Sequence, residues 1–266
     1  MTRPIVIKVG GAAAENEGSA PALWDALAAF NRANPGGVVI VHGGGGAVDR
    51  HLQRLGIVSE RRDGIRITPP EHMDQIAAVL VGIVNTRIVA ALNARGVRAV
   101  GLRLGDGRAV PTEKTRRFPF DPGCVGEVVT GGDDEPGLLD LLLSHRYLPV
   151  LSSIGMDDRG GMLNVNADDA AAGVARRLRA RTLVLLTDVP GILDGSRRVV
   201  PEVTPRDVES LIASGAITGG MIVKARAAVH AARRIGSPVV ILSGNDAGSL
   251  AAWAAGTPAG TRVLPD

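Results

Sequence analysis

The chain is short of several things that would announce a common function. It has a single cysteine in 266 residues, Cys124, which excludes an intramolecular disulfide and fits a reducing compartment. Aromatic residues make up only 2%, so stacking platforms for single-stranded nucleic acid are almost absent. The formal charge is +3, and the arginines are scattered rather than massed, which favours a local anionic ligand over a nucleic-acid face. No G-x-x-x-x-G-K-[ST] loop occurs and the glycine runs do not fit G-x-G-x-x-G, which removes the P-loop and dinucleotide-binding classes. There is no H-x-x-x-H or Cys/His cluster to hold zinc. No signal-peptide pattern opens the chain and no apolar run reaches membrane-spanning length. The expectation is a soluble, cytoplasmic protein without a nucleic-acid or membrane partner.

What the chain does have is glycine: 35 residues, within a composition that is 45% hydrophobic. Two runs stand out. Gly10-Gly11 follows Ile5-Val6-Ile7-Lys8-Val9, and Gly43-Gly44-Gly45-Gly46 follows Val38-Val39-Ile40-Val41-His42 and leads into helical spacing at Val48, Leu52 and Leu55. A strand–glycine–helix turn bares backbone N–H groups and aims a helix N-terminus outward, which suits a phosphate or carboxylate. Glycines also serve plain tight turns. Two runs close together, one beside Lys8, favour the anion site.

The remaining pattern alternates strand and helix. Leu23, Leu27 and Phe30 recur at helical spacing behind a plausible N-cap at Ser19, and Thr68-Pro69-Pro70-Glu71 has capping-box spacing ahead of an apolar helix reaching about Gly96. Strands are expected near Val97 to Leu104, Tyr147 to Ser153, Thr182 to Thr187, Pro238 to Leu242 and Thr261 to Leu264, and helices near Leu138 to Ser144, after Asp168, Pro205 to Ala213, Gly220 to Ile235 and Gly248 to Ala254. The stretch from Gly105 to about Asp134 is irregular and reads as hairpin or lid material. Such alternation predicts an α/β protein: a three-layer αβα sandwich around a mainly parallel open sheet. A boundary near residue 180 divides it into residues 1–180 and 181–266.

Three positions look unusual for structural residues: Lys8 ending a buried strand, Asn164, Asn166 and Asp168 together at a helix entry, and Lys224 near the start of a helix whose dipole it opposes. Singly, each has an ordinary reading: Lys8 as a snorkelling strand residue, Asp168 as a helix N-cap and Lys224 as a solvated surface lysine. Together with the glycine loops they suggest two ammonium groups brought to one anion cluster, with Asp168 between them.

Six segments in order carry a resemblance: Ile7-Lys8-Val9-Gly10-Gly11, Val41-His42-Gly43-Gly44-Gly45, Gly64-Ile65-Arg66-Ile67-Thr68, Asn164-Val165-Asn166-Ala167-Asp168, Thr187-Asp188-Val189-Pro190-Gly191-Ile192-Leu193 and Gly219-Gly220-Met221-Ile222-Val223-Lys224. The series resembles the amino acid kinase family, and within it the branch that phosphorylates N-acetyl-L-glutamate. The glycine pairs and the final lysine are shared across the family, whereas the Arg66 and Asn-Val-Asn-Ala-Asp segments are more selective.

The resemblance implies transfer of the ATP γ-phosphoryl group, with Mg2+ accompanying the nucleotide, to the γ-carboxylate of N-acetyl-L-glutamate. Lys8 and Lys224 would stabilise the transferring group, Asp168 would orient both lysines, and Gly11 and Gly45 would donate backbone N–H bonds. Gly44 and Gly45 would meet the reacting carboxylate, Arg66 would clamp the α-carboxylate and Asn164 would hold the acetamido group. ATP would lie against Lys8, Gly10, Gly11, Asp188, Val189, Pro190, Gly191, Ile192, Leu193, Ala216, Ile217, Thr218 and Lys224. No metal-binding residue is expected, since no carboxylate cage is visible. Val125-Gly126-Glu127-Val128 matches the hairpin lining the acetylglutamate pocket, which favours that acceptor over carrier-bound aminoadipate or glutamate. Val9, where a small or aromatic residue is common, and the extra Gly46 depart from the family pattern. Arginine-inhibited members of the branch carry an extra N-terminal helix; the first strand here starts at residue 5, so a homodimer insensitive to arginine is expected. A catalytically silent, ligand-binding relative is the alternative of a different class.

Overall fold

The computed structural model describes residues 2–10, 20–129 and 137–266; Gly11 and the Ser19 cap fall outside them. Short apolar runs become strands because β-branched side chains suit a pleated surface covered on both sides. Among the described residues the main sheet has eight strands: β1 (Ile5–Val9), β2 (Val38–His42), β5 (Ala99–Arg103), β8 (Leu148–Ser152), β11 (Thr182–Thr187), β12 (Glu202–Val203), β13 (Val239–Ser243) and β14 (Thr261–Val263), in the order β12-β14-β13-β11-β1-β2-β8-β5. The six strands from β13 to β5 are parallel, and β14 runs antiparallel to β13. Because β1 pairs with β11, one sheet runs across the position of the expected boundary at residue 180.

Side-chain alternation sorts the strands onto two cores. Val6, Val39, Val41 and Leu151 point to one face, covered by α4 (Leu138–Ser144), α5 (Ala167–Arg177), α6 (Pro205–Ala213) and α7 (Gly220–Ile235). Ile5, Ile7, Val38, Ile40 and Val150 point to the other, covered by α1 (Ala20–Ala33), α2 (Gly45–Arg54), α3 (Pro70–Asn93) and α8 (Ala247–Ala254). This is the expected αβα sandwich. Parity also decides which helix each functional side chain meets. Lys8 shares its face with Val6 and so looks toward α5 and α7; His42 shares its face with Ile40 and looks toward α3.

Beyond the C-terminal ends of the parallel strands lies a smaller sheet, β6-β7-β10-β9, built from β6 (Thr112–Lys114), β7 (Val125–Val128), β9 (Ile154–Met156) and β10 (Met162–Val165), together with a hairpin of β3 (Arg61–Arg62) and β4 (Ile65–Arg66). The irregular stretch read as hairpin material supplies β6 and β7. The strands β9 and β10 were not separable in the sequence, because each is short and defined by its partner.

Two expectations are corrected. Thr68 does not cap α3, whose N-cap is Pro69; its buried hydroxyl donates to the Arg66 carbonyl 3.0 Å away and accepts from Asn164. And α3, continuous over 24 residues, is by length and composition alone long and apolar enough to cross a membrane, contrary to the sequence expectation. Its inward side chains, Met73, Ile76, Leu80, Val84, Ile88 and Leu92, belong instead to the core on the sheet. The middle of this helix, Ala78–Asn85, is wound as a π-helix.

Candidate active site

Lys8 is the point where the parts meet. Its strand position turns it toward the N-terminus of α5; the side chain is 15% exposed and its ammonium lies 3.0 Å from Asp168 Oδ1. Asp168 is held there by the cap: Asn166 Oδ1 accepts from the backbone N–H groups of Asp168 and Asp169, at 2.8 and 3.2 Å. That bond satisfies two donors of the first helical turn and fixes the entry of the chain.

One cavity, about 250 Å³, opens on the acceptor side of Lys8. Gly43, Gly44 and Gly45, Arg61, Arg66, Ser153, Asn164 and Asp168 give it polar walls, and Ile65, Ile76, Leu80 and Val125 give it apolar ones. A Cβ at Gly44 would stand 2.9 Å from Leu80 Cδ2 and 3.2 Å from Val84 Cγ2, so a larger residue would have to push those side-chain ends aside. Arg66 is 7% exposed. It donates to Ser59 Oγ and, at 3.2 Å, to the Gly45 carbonyl, and it pairs with Asp49 Oδ1 at 2.6 Å. Asp49 also holds Arg61 at 2.9 Å, so one carboxylate braces two guanidinium groups. Burial works against the charge of Asp49, but the hydrogen bonds from Arg66 and Arg61 outweigh it and lower its pKa. Asn164 donates from Nδ2 to Thr68 Oγ1 at 3.1 Å.

A second cavity, about 410 Å³, lies on the other side of Lys8. It is lined by Gly10, Asp168, Asp169, Asp188, Val223, Lys224, His230, Asn245 and apolar residues of β11, α7 and β13. Lys224 pairs with Asp188. That hydrogen bond leads the causes that lower the pKa of Asp188, against desolvation, and the charge of Lys8 contributes to it. Lys8 and Asp168 line both cavities. A third cavity, about 1250 Å³, lies elsewhere, around Lys114, Phe118, Phe120 and Asp157, and is lined by none of these residues.

The structure therefore gathers Lys8, Gly44, Gly45, Arg66, Asn164 and Asp168 on one side, and Lys8, Gly10, Asp168, Asp188 and Lys224 on the other. Asp168 contacts Lys8, whereas the ion pair of Lys224 is with Asp188, so the expectation that Asp168 orients both lysines meets a different arrangement. Val189, Pro190, Gly191, Ile192, Leu193, Ala216, Ile217 and Thr218 do not line the second cavity. Ile192 and Ile217 are core residues, at 0% and 2% exposure, and the Ile192 N–H is held by Thr261 Oγ1 at 2.8 Å. Gly11 lies outside the described residues. Sequence reasoning missed Asp49, Arg61, Ser153 and the apolar walls from Ile76 and Leu80, whereas Val125 lines the cavity as its hairpin motif implied. Asp49 could have been sought from the geometry of a buried arginine, which needs a carboxylate.

The family model for the amino acid kinase family matches residues 3–243, and the chain belongs to that family, a class of phosphotransferases. Among solved structures, smu.665 from Streptococcus mutans UA159 is 28% identical, with both chains covered in full and a TM-score of 0.78. N-acetylglutamate synthase from Neisseria gonorrhoeae, solved with coenzyme A and N-acetyl-glutamate, is 22% identical with a TM-score of 0.83; 99% of this chain matches 60% of that one. Carbamate kinase from Giardia lamblia bound to AMP-PNP is 17% identical over 100% of this chain and 99% of its own, with a TM-score of 0.67. The last two are likenesses of fold.

Proposed function

We propose that the protein transfers the γ-phosphoryl group of ATP to the γ-carboxylate of N-acetyl-L-glutamate. The observation that carries this reading is the pair of cavities meeting at Lys8 and Asp168, one with a buried arginine for a carboxylate and the other with a lysine–aspartate pair at its edge. In the reaction a carboxylate oxygen forms a bond to the γ-phosphorus as the bond to the ADP bridging oxygen breaks. The acceptor is already deprotonated at neutral pH, so no general base is required, and the work is charge neutralisation and alignment. Lys8 and Lys224 approach the transferring group from either side, and Asp168 holds the Lys8 ammonium in line.

On the acceptor side, Arg66 takes the α-carboxylate through its planar fork. Asn164, whose Nδ2 is committed to Thr68, offers Oδ1 to the acetamido N–H. Gly44 and Gly45 give N–H groups to the reacting carboxylate. The nucleotide lies over residues 181–266 and the acceptor over residues 1–180. Among the described residues no three His, Cys, Asp or Glu side chains are grouped to hold a metal, and the carboxylates of Asp168 and Asp188 are engaged by lysines. A protein-held ion does not fit this site; Mg2+ would enter bound to the ATP phosphates.

The test is ADP release with ATP and a panel of acetylglutamate, glutamate, carrier-bound aminoadipate, aspartate, carbamate and UMP, with hydroxylamine trapping to identify an acyl phosphate product. Turnover of acetylglutamate alone is expected. Turnover of another member would reassign the acceptor, and none would make the chain a silent relative. The exposed Ala78, Gly82 and Ala90 on α3 support a homodimer through that helix, to be checked by light scattering.

A further inference from the structure

His42 ends β2 in the middle of the glycine-loop segment, yet it does not line either cavity and its side chain is fully buried. Its two ring nitrogens are both engaged. Nδ1 lies 2.9 Å from the Gly43 carbonyl oxygen, an atom that can only accept, so Nδ1 carries the proton. Nε2 lies 3.0 Å from Asn85 Nδ2. The orientation of the Asn85 amide is fixed independently, because the same Nδ2 donates to the Val150 carbonyl at 2.9 Å. The Nε2 lone pair therefore accepts. Both bonds together require the neutral Nδ1–H tautomer.

Two features of the fold exist around this contact. The π-wound stretch of α3 widens the turn, so that Val84 and Asn85 are both buried against the sheet, at 5% and 4% exposure. On β5, the strand beyond β8, a Cβ at Gly101 would stand 2.1 Å from Asn85 Oδ1, so only glycine leaves room for that side chain.

We propose that Asn85 and His42 form a buried positioning relay that aims the Gly44 N–H into the acceptor cavity. The Gly43 carbonyl and the Gly44 N–H belong to one peptide unit, and in a planar trans peptide they point in opposite directions. Holding the carbonyl inward from His42 turns the N–H outward, where Gly44 lines the cavity. Glycines on both sides of that peptide leave it free to rotate otherwise, and the Gly44 N–H has no partner among the described residues. His42 and Asn85 are positioning residues, acting through the loop; the inference rests on the reading of that loop as the acceptor side.

The test separates the two halves of the relay. His42→Asn keeps an N–H near the Nδ1 position and so retains the grip on Gly43. His42→Gln keeps an acceptor near Nε2 and loses that grip. Gly101→Ala displaces Asn85 without touching the histidine. The relay predicts that His42→Gln and Gly101→Ala raise the acceptor KM about tenfold or more, the loss of one aimed hydrogen bond, with the AMP-PNP Kd unchanged. His42→Asn should stay within about threefold of the wild type in acceptor KM even where its Tm falls. Acceptor KM values that merely follow Tm across the three variants would overturn the relay. Nitrogen-15 NMR of the wild-type imidazole gives a second, activity-free readout: the Nδ1–H tautomer supports the relay, and the Nε2–H tautomer or a charged ring overturns it. A wild type that phosphorylates no carboxylate overturns the reading of the loop instead, and the tautomer then decides the relay by itself.

Discussion

Replacing Lys8 with methionine tests the centre of the proposed site with little change of shape. The side chain is 15% exposed and its ammonium is 3.0 Å from Asp168, at the wall shared by the two cavities. Two unit charges about 4 Å apart at an effective dielectric constant of ~20 interact by about 4 kcal/mol. Desolvation of the lysine and the residual charge of Lys224 reduce what a single cation contributes, and removing one preorganised donor to a developing anion commonly costs about 3 kcal/mol. Lys8→Met should therefore lower kcat by about a hundredfold or more. Asp168→Asn keeps the ammonium but lets it swing, and a loss of about tenfold is expected. Since Asp168 acts through Lys8, the double variant should be no slower than Lys8→Met, the non-additivity of groups that work as a unit. The assay is acyl phosphate trapped by hydroxylamine at saturating ATP and acetylglutamate, with AMP-PNP affinity measured separately. A Lys8→Met enzyme within a fewfold of the wild type, or losses that multiply in the double variant, would refute the argument.

Three further outcomes follow from other parts of the structure. Arg66→Lys should raise the acceptor KM by about tenfold or more and leave nucleotide affinity unchanged, because an ammonium cannot reproduce the fork held by Asp49, Ser59 and Gly45; equal KM values in steady-state kinetics would count against the clamp. Asp49→Asn should raise the same KM about threefold, since both Arg61 and Arg66 lose part of their brace; an effect on nucleotide KM instead would contradict it. Burial lowers the pKa of His42 from 6.5 to about 4, against the hydrogen bond to Gly43. The unfolded chain then binds the proton first, so the stability this neutral ring contributes is fully present above pH 6.5 and is lost as pH falls toward 4. The loss is roughly 3 kcal/mol, and urea midpoints measured from pH 7 to 4.5 should fall more steeply for the wild type than for His42→Asn.

Much of this site was legible in the chain because it is written locally. Ile5-Val6-Ile7-Lys8-Val9 is a buried strand with one misplaced cation, and any such lysine asks for a partner. The glycine run after β2 and the helix entry from Asn164 to Asp168 are short-range patterns with short-range causes, although the N-cap is Asn166 and not Asp168. What was not legible was what depends on distant parts of the chain. Thr68 has the spacing of a cap, but its hydroxyl is bound to Asn164, 96 positions away. Lys224 pairs with Asp188 rather than Asp168, and Asp188 stands 36 positions away in the chain. Ile192 and Ile217 sit in motif segments that resemble nucleotide contacts, yet their side chains are in the core. A motif marks where a segment is placed, and burial decides which of its atoms can touch anything.

The same logic explains how one histidine can stand beside the proposed acceptor loop without being a base. Under the proposed reaction the acceptor arrives as a carboxylate, so a proton acceptor at the reacting atom would have nothing to remove. A charged imidazole next to Gly43 would also be unable to accept from Asn85. Burial against α3 keeps the ring neutral and directional, and a neutral ring with both nitrogens engaged is a rigid strut. The cation that the loop needs comes from the other face of the sheet, through Lys8, one strand away. Side-chain alternation thus separates two tasks that would interfere if they shared a face: His42 shapes the loop from the α3 side, and Lys8 supplies charge from the α5 side.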